Sequence, residues 1–226
     1  MGAERGIRDR PLIAFIFGGL LSSFLVGTGD TTREWVANID SAQGITAILT
    51  IIAGVGWVSA FIGTVLLCDS MQGPNKPGSV LARMGGIIMI GLAALAMVGS
   101  MVDLATVEML QSDGDIAQNT SDAVTIQIVG RTIWQGLFFF WGIAFVLIGL
   151  ALVLQKRLHL IVNWVFVVCG TLFVILSVIP LDLAQAVGFL IFGIMSLNTV
   201  IAGVLRLRAV SYTHLRAHET LRYLVC

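Results

Sequence analysis

Charge is scarce in this chain. Asp, Glu, Lys and Arg make up 12% of its 226 residues, against the ~25% usual in globular domains. The formal net charge is zero, which excludes a basic nucleic-acid-binding face, and so little charge excludes a disordered polyelectrolyte. Outside the last seventeen residues, one histidine (His159) and two cysteines (Cys68 and Cys169) are too few for a disulfide framework or a Cys/His metal centre. Catalytic signatures are missing too. There is no His-Glu-x-x-His for zinc, no Gly-x-Ser-x-Gly elbow, and no pair of aspartates inside the apolar runs. His159 stands at the edge of such a run, so no buried serine has a base to activate it. No catalytic residue, metal or cofactor is expected.

What is present is apolar: 57% of residues and a mean hydropathy of +0.96. Crossing ~30 Å of hydrocarbon takes about 20 apolar residues in a helix. Six runs qualify, at Pro11–Gly27, Gly44–Cys68, Val80–Val102, Thr132–Leu154, Leu158–Ile179 and Ala186–Leu205. A lone strand would leave backbone groups unpaired in lipid. The expected fold is therefore an all-α polytopic membrane bundle of six transmembrane helices within residues 1–209.

Lys and Arg set the expected orientation. Arg5, Arg8, Arg10, Lys76, Arg83, Lys156, Arg157, Arg206 and Arg208 fall in the N-terminal segment, the second and fourth connections and the end of helix six. The alternate connections hold only Arg33 and Arg131. They also carry Asp30, Glu34, Asp40, Asp103, Glu108, Asp113, Asp115, Asp122 and Asp182. Both ends of the native part are thus expected in the cytoplasm of a multi-pass cell-membrane protein, in a prokaryotic inner membrane. The first run, basic and then apolar up to Gly27-Thr28-Gly29, also fits a secretory signal; cleavage there would leave five spans.

From Val210 the composition changes. Val210-Ser211-Tyr212-Thr213-His214-Leu215-Arg216-Ala217-His218-Glu219-Thr220 resembles the conceptual translation of a transposase-type sequencing adapter. Leu221-Arg222-Tyr223 falls where a sample index would lie, and Leu224-Val225-Cys226 is similar to the fixed sequence beyond it. Residues 210–226 are expected to be non-native, with the natural C-terminus missing from the sequence. His214, His218 and Cys226 then carry no function, against the rival reading of a His/His/Cys metal set. In architecture alone, residues 11–209 resemble uncharacterised prokaryotic six-helix membrane proteins of unknown function. That resemblance holds no diagnostic motif and transfers no residue roles.

The longest connection runs from Asp103 to Arg131. Its apolar stretches Leu104–Leu110 and Val124–Val129 suggest that helices three and four continue past the membrane, with Asp113–Asp122 as a mobile tip. Asp113-Gly114-Asp115 starts like a calcium loop, but Ala117 takes the next ligand position. Gly56 with Gly63 and Gly142 with Gly149 share a Gly-x6-Gly spacing, a Trp beside the first glycine and an Ile before the second. A duplicated hairpin would give this pattern, and so would a composition rich in Gly and Ile. Pairs such as Gly56 with Ala60 and Ser59 with Gly63 permit close helix approach. Met84, Met89, Met97 and Met101 read as core filling rather than a copper site.

Three polar residues in or beside the spans are candidates. Asp103 ends helix three and Arg131 begins helix four; they could form an ion pair or an outward vestibule, or simply reach the headgroups. Asn198, inside helix six, could coordinate a ligand or bond to a neighbouring helix. The leading expectation is a non-enzymatic integral membrane protein acting through helix packing, with the lipid bilayer, a second copy or a membrane partner subunit as its partners. The alternative is a small transporter or channel with a path near helices three, four and six. An intramembrane enzyme finds no nucleophile–base pair.

Overall fold

A computed structural model describes residues 16–27, 29, 31–179 and 187–205. A π-helical turn at Ile16–Leu21 runs into α1 (Ser22–Leu25). There follow α2 (Thr32–Ser41), α3 (Gln43–Met71), α4 (Ser79–Gln111), α5 (Ile116–Gln155), α6 (Leu160–Leu176) and α7 (Val187–Leu205). No strand occurs among the described residues. The chain is all-helical, and α3, α4, α5 and α7 are long and apolar enough to cross a membrane. The expectations for Arg5, Arg8, Arg10, Asp30, Asp182, Arg206, Arg208, His214, His218 and Cys226 lie outside the described residues, as does the N-terminal part of the first apolar run.

Small residues fix how neighbouring helices meet. Gly54 of α3 packs on Ser100 of α4, and Gly86 of α4 on Cys68 of α3. Gly99 of α4 lies against Trp134 of α5, Gly130 of α5 against Val102 of α4, and Gly85 of α4 receives Ile148 of α5. Gly142 and Gly149 of α5 lie against Gly170 and Val167 of α6. In each case the contacts descend one helix as they climb the next, so α3, α4, α5 and α6 alternate in direction. Lys76, Arg83, Lys156 and Arg157 therefore gather at one end of the bundle. Glu34, Asp40, Glu108, Asp113, Asp115 and Asp122 gather at the other.

Two boundaries depart from the sequence expectation. The tip between α4 and α5 is shorter than Asp113–Asp122, because helix resumes at Ile116. The Asp115 carboxylate accepts from the Ala117 N–H at 3.1 Å, and the Asn119 amide donates to the Ser112 carbonyl at 2.7 Å. With 40 residues, α5 is ~60 Å long at 1.5 Å per residue, about twice the hydrocarbon thickness. The fifth apolar run is helical only from Leu160 to Leu176, a length of ~26 Å. Its end is closed by the Ser177 hydroxyl, which donates to the Phe173 carbonyl at 2.7 Å. The Ser177 carbonyl accepts from the Gln135 amide of α5 at 2.8 Å.

The helix α2 forms in what the apolar runs make a connection. Thr31 and Glu34 build a capping box: the Thr31 hydroxyl accepts from the Glu34 N–H at 3.2 Å, and the Glu34 carboxylate accepts from the Thr31 N–H at 3.3 Å. This satisfies two N-terminal donors that the helix itself cannot pair. Val36 and Ile39 are buried. Ile39 packs in a cluster with Val26, Leu49 and Val107, which ties α2 to the acidic ends of α3 and α4.

The surface is apolar and several polar groups are inside. Phe24, Val55, Ile87, Ile90, Val168 and Leu190 are exposed, whereas Thr64, Ser100, Thr106, Gln127, Asn163 and Asn198 are buried. This arrangement is consistent with a membrane protein, for which lipid replaces water around the outward faces.

The crossing of α5 and α6 allows a test. A Cβ on Gly142 would stand 2.6 Å from the Gly170 carbonyl oxygen, a backbone atom that cannot swing aside, while a Cβ on Gly136 would meet nothing within 4 Å. We expect Gly142→Ala to cost ~1–3 kcal/mol through overpacking and to lower the melting temperature in detergent. Gly136→Ala should leave that temperature unchanged or raise it slightly, because Ala favours helix by up to ~1 kcal/mol.

Candidate functional site

The antiparallel pairing of α4 and α5 brings Asp103 opposite Gln127 at the acidic end. The Gln127 amide donates to Asp103 Oδ1 at 2.8 Å and to Thr106 Oγ1 at 2.9 Å. The Thr106 hydroxyl in turn donates to the Val102 carbonyl at 2.9 Å. From α3, the Thr50 hydroxyl approaches Asp103 Oδ2 at 3.5 Å. An ionised carboxylate only accepts, so the amide must present its nitrogen here. Three helices thus meet on one carboxylate, with Gln127 and Thr106 buried and Asp103 half-buried.

Beside this cluster lies a cavity of about 220 Å³, lined by Trp35, Val102, Asp103, Gln127, Gly130, Arg131 and Trp134. Arg131 follows Gln127 by four residues, which places both on one face of α5. Trp35 comes from α2, so the capped helix supplies one wall. Asp103 and Arg131 share the cavity but form no ion pair with each other. Among the described residues Arg131 has neither an ion pair nor a hydrogen bond to its side chain. The two residues therefore line one space without pairing directly.

Beneath the cavity the core closes with rings. Trp134, in the cavity wall, meets Trp57 of α3 at 5.3 Å between centroids. Trp57 stacks on Phe192 of α7 at 5.0 Å and meets Trp141 edge-on at 5.2 Å. Trp141 continues to Phe145 at 4.9 Å, and Phe145 to Phe166 of α6 at 5.2 Å. Two small voids among these helices measure about 10 Å³ each, no more than one water would fill. Trp57 and Trp141 are the residues beside the first glycine in the two Gly-x6-Gly stretches, and each is followed four residues on by a ring, Phe61 and Phe145.

Asn198 is elsewhere. It is buried, and its amide donates to the Val162 carbonyl in the first turn of α6 at 3.1 Å. That turn packs near Gly149 of α5, which lies ~27 Å along the helix from Arg131. Asp103 and Arg131 are brought together, then, and Asn198 joins two helices near the basic end. Gln127, Thr50, Thr106 and Trp35 complete the site and were not among the sequence candidates. The signal for Gln127 was a single amide interrupting the apolar stretch Val124–Val129, one helical turn ahead of Arg131.

No protein-family model, curated protein or solved structure matches the chain.

The carboxylate cluster should behave as a coupled unit. Gln127→Leu removes the shortest bond to Asp103 and is expected to cost ~1–3 kcal/mol. Asp103→Leu in the same background should restore part of that loss, since the carboxylate oxygen left unpaired is then gone and only the rotatable Thr50 hydroxyl must find another acceptor. Melting temperatures of the two single variants and the double variant would measure the coupling. Strict additivity would show that the two residues do not interact.

Proposed function

We propose that the chain is a six-span protein of the cell membrane, with both native ends in the cytoplasm, that acts by binding rather than by catalysis. In this reading the bundle is a closed scaffold, and the cavity at its acidic end faces outward. The alternation of helix direction supports the orientation, because it collects the Lys and Arg residues of the connections at one end. α6 is short for a span, and local thinning of the bilayer or outward-reaching flanking residues accommodate such a length. The bilayer is the first partner, covering the apolar outward faces; a second copy or a membrane subunit would pack there through small-residue stripes.

One observation carries the choice of binding over conduction. The ring layer from Trp134 through Trp57 and Phe192 to Trp141 closes the core below the cavity. A transporter is the second reading, favoured by the opposite charges in the cavity wall. It requires the Trp57–Phe192 stack to part during each cycle.

Cysteine labelling separates these readings. In a background lacking Cys68, Cys169 and Cys226, a cysteine at position 131 should react with a membrane-impermeant maleimide added outside intact cells. A cysteine at position 198 should remain unlabelled from either side. Labelling of position 131 only from the cytoplasm would overturn the orientation. Labelling of position 198 from outside would reveal a path through the ring layer and favour transport.

A further inference from the structure

We propose that the cavity binds a small zwitterion, its cationic group on the Asp103 carboxylate and its anionic group on the Arg131 guanidinium. This rests on the reading above of an outward-facing cavity and adds the chemistry of its ligand. Asp103 Oδ1 is committed to Gln127 at 2.8 Å, whereas Oδ2 has only the Thr50 hydroxyl at 3.5 Å. A carboxylate has about four lone-pair sites, so Oδ2 keeps capacity for a further donor. Arg131 offers five donors and spends none of them on a described residue. The cluster with Gln127 and Thr50 anchors the carboxylate on the α3–α4–α5 junction, and opposite charges are left lining one space without closing on each other.

A singly charged ligand would satisfy one of these groups and leave the other to water. A zwitterion satisfies both, and charge-assisted hydrogen bonds are the strong ones. Trp35 and Trp134 complete the fit, because indole faces attract ammonium groups. The volume of about 220 Å³ lies below the ~300–1,000 Å³ of sites for drug-sized molecules. It suits a small metabolite or a lipid headgroup.

The test is calorimetric titration of the full chain in detergent with two zwitterions, glycerophosphoethanolamine and 4-aminobutyrate, and two singly charged probes, ethanolamine and butyrate. At least one zwitterion should bind saturably, and at least ~10-fold more tightly than either singly charged probe. Tighter binding of glycerophosphoethanolamine would identify a lipid headgroup as the source, and tighter binding of 4-aminobutyrate a free amino-carboxylate. Asp103→Asn and Arg131→Gln should each weaken that binding roughly 10- to 100-fold. Among the described residues Arg131 has no partner to lose, so Arg131→Gln should retain the wild-type melting temperature even if Asp103→Asn unfolds. Absence of binding by both zwitterions, equal binding of a singly charged probe, or indifference to Arg131→Gln would overturn the proposal. If position 131 still labels from outside, only the ligand assignment falls; if it does not, the cavity reading falls with it.

Discussion

Trp57 stands where α3, α5 and α7 converge, and its indole contacts rings on both of the other helices. Trp134, Phe138 and Trp141 approach it from α5 and Phe192 from α7, at centroid separations of 5.0–6.2 Å. Such pairs contribute ~0.5–1.5 kcal/mol each beyond the area they bury. This matters more in lipid than in water, because hydrocarbon removes the hydrophobic force between helices and leaves packing and hydrogen bonds to hold them. Beside the Asn198 bond to Val162, the position of α7 depends on the Phe192 stack. So does the floor of the cavity, since Trp134 is both a wall of that cavity and a neighbour of Trp57.

The two ends of the bundle use their polar side chains differently. At the basic end they close the C-terminus of α3, whose last carbonyls have no partner within the helix. Arg157 donates to the Ser70 carbonyl at 2.7 Å, Gln155 to that of Met71 at 2.8 Å, and Lys76 to that of Gln72 at 2.8 Å. These groups are consumed in structure. At the acidic end, Gln127, Thr50 and Thr106 hold Asp103, but the Arg131 side chain is committed to nothing among the described residues. An uncommitted guanidinium in the wall of a cavity, opposite a held carboxylate, sets the acidic end apart.

Much of the fold was legible because bilayer thickness imposes a length. The apolar runs at Gly44–Cys68 and Val80–Val102 fall inside α3 and α4, and Asp103 and Arg131 lie where two successive helices come together. The short α6 was not legible, since Val178 and Ile179 prolong the apolar run beyond a helix that Ser177 ends. The α2 helix was signalled by Thr31-x-x-Glu34 but carries too few apolar residues to register as a span. Gln127 was hidden by its neighbours: within Val124–Val129 a single amide looks like a boundary residue. Only the packing of α4 against α5 shows that it faces Asp103. The ring layer joins residues as distant in sequence as Trp57 and Phe192, and no local pattern reports such a contact.

Closure of the core below the cavity is tested most directly by solute flux. The protein would be reconstituted in liposomes and the entry of radiolabelled 4-aminobutyrate followed with and without imposed ion gradients. A closed core predicts entry no faster than into protein-free liposomes. Saturable entry that Arg131→Gln abolishes would contradict it, and would make the ring layer a gate rather than a floor.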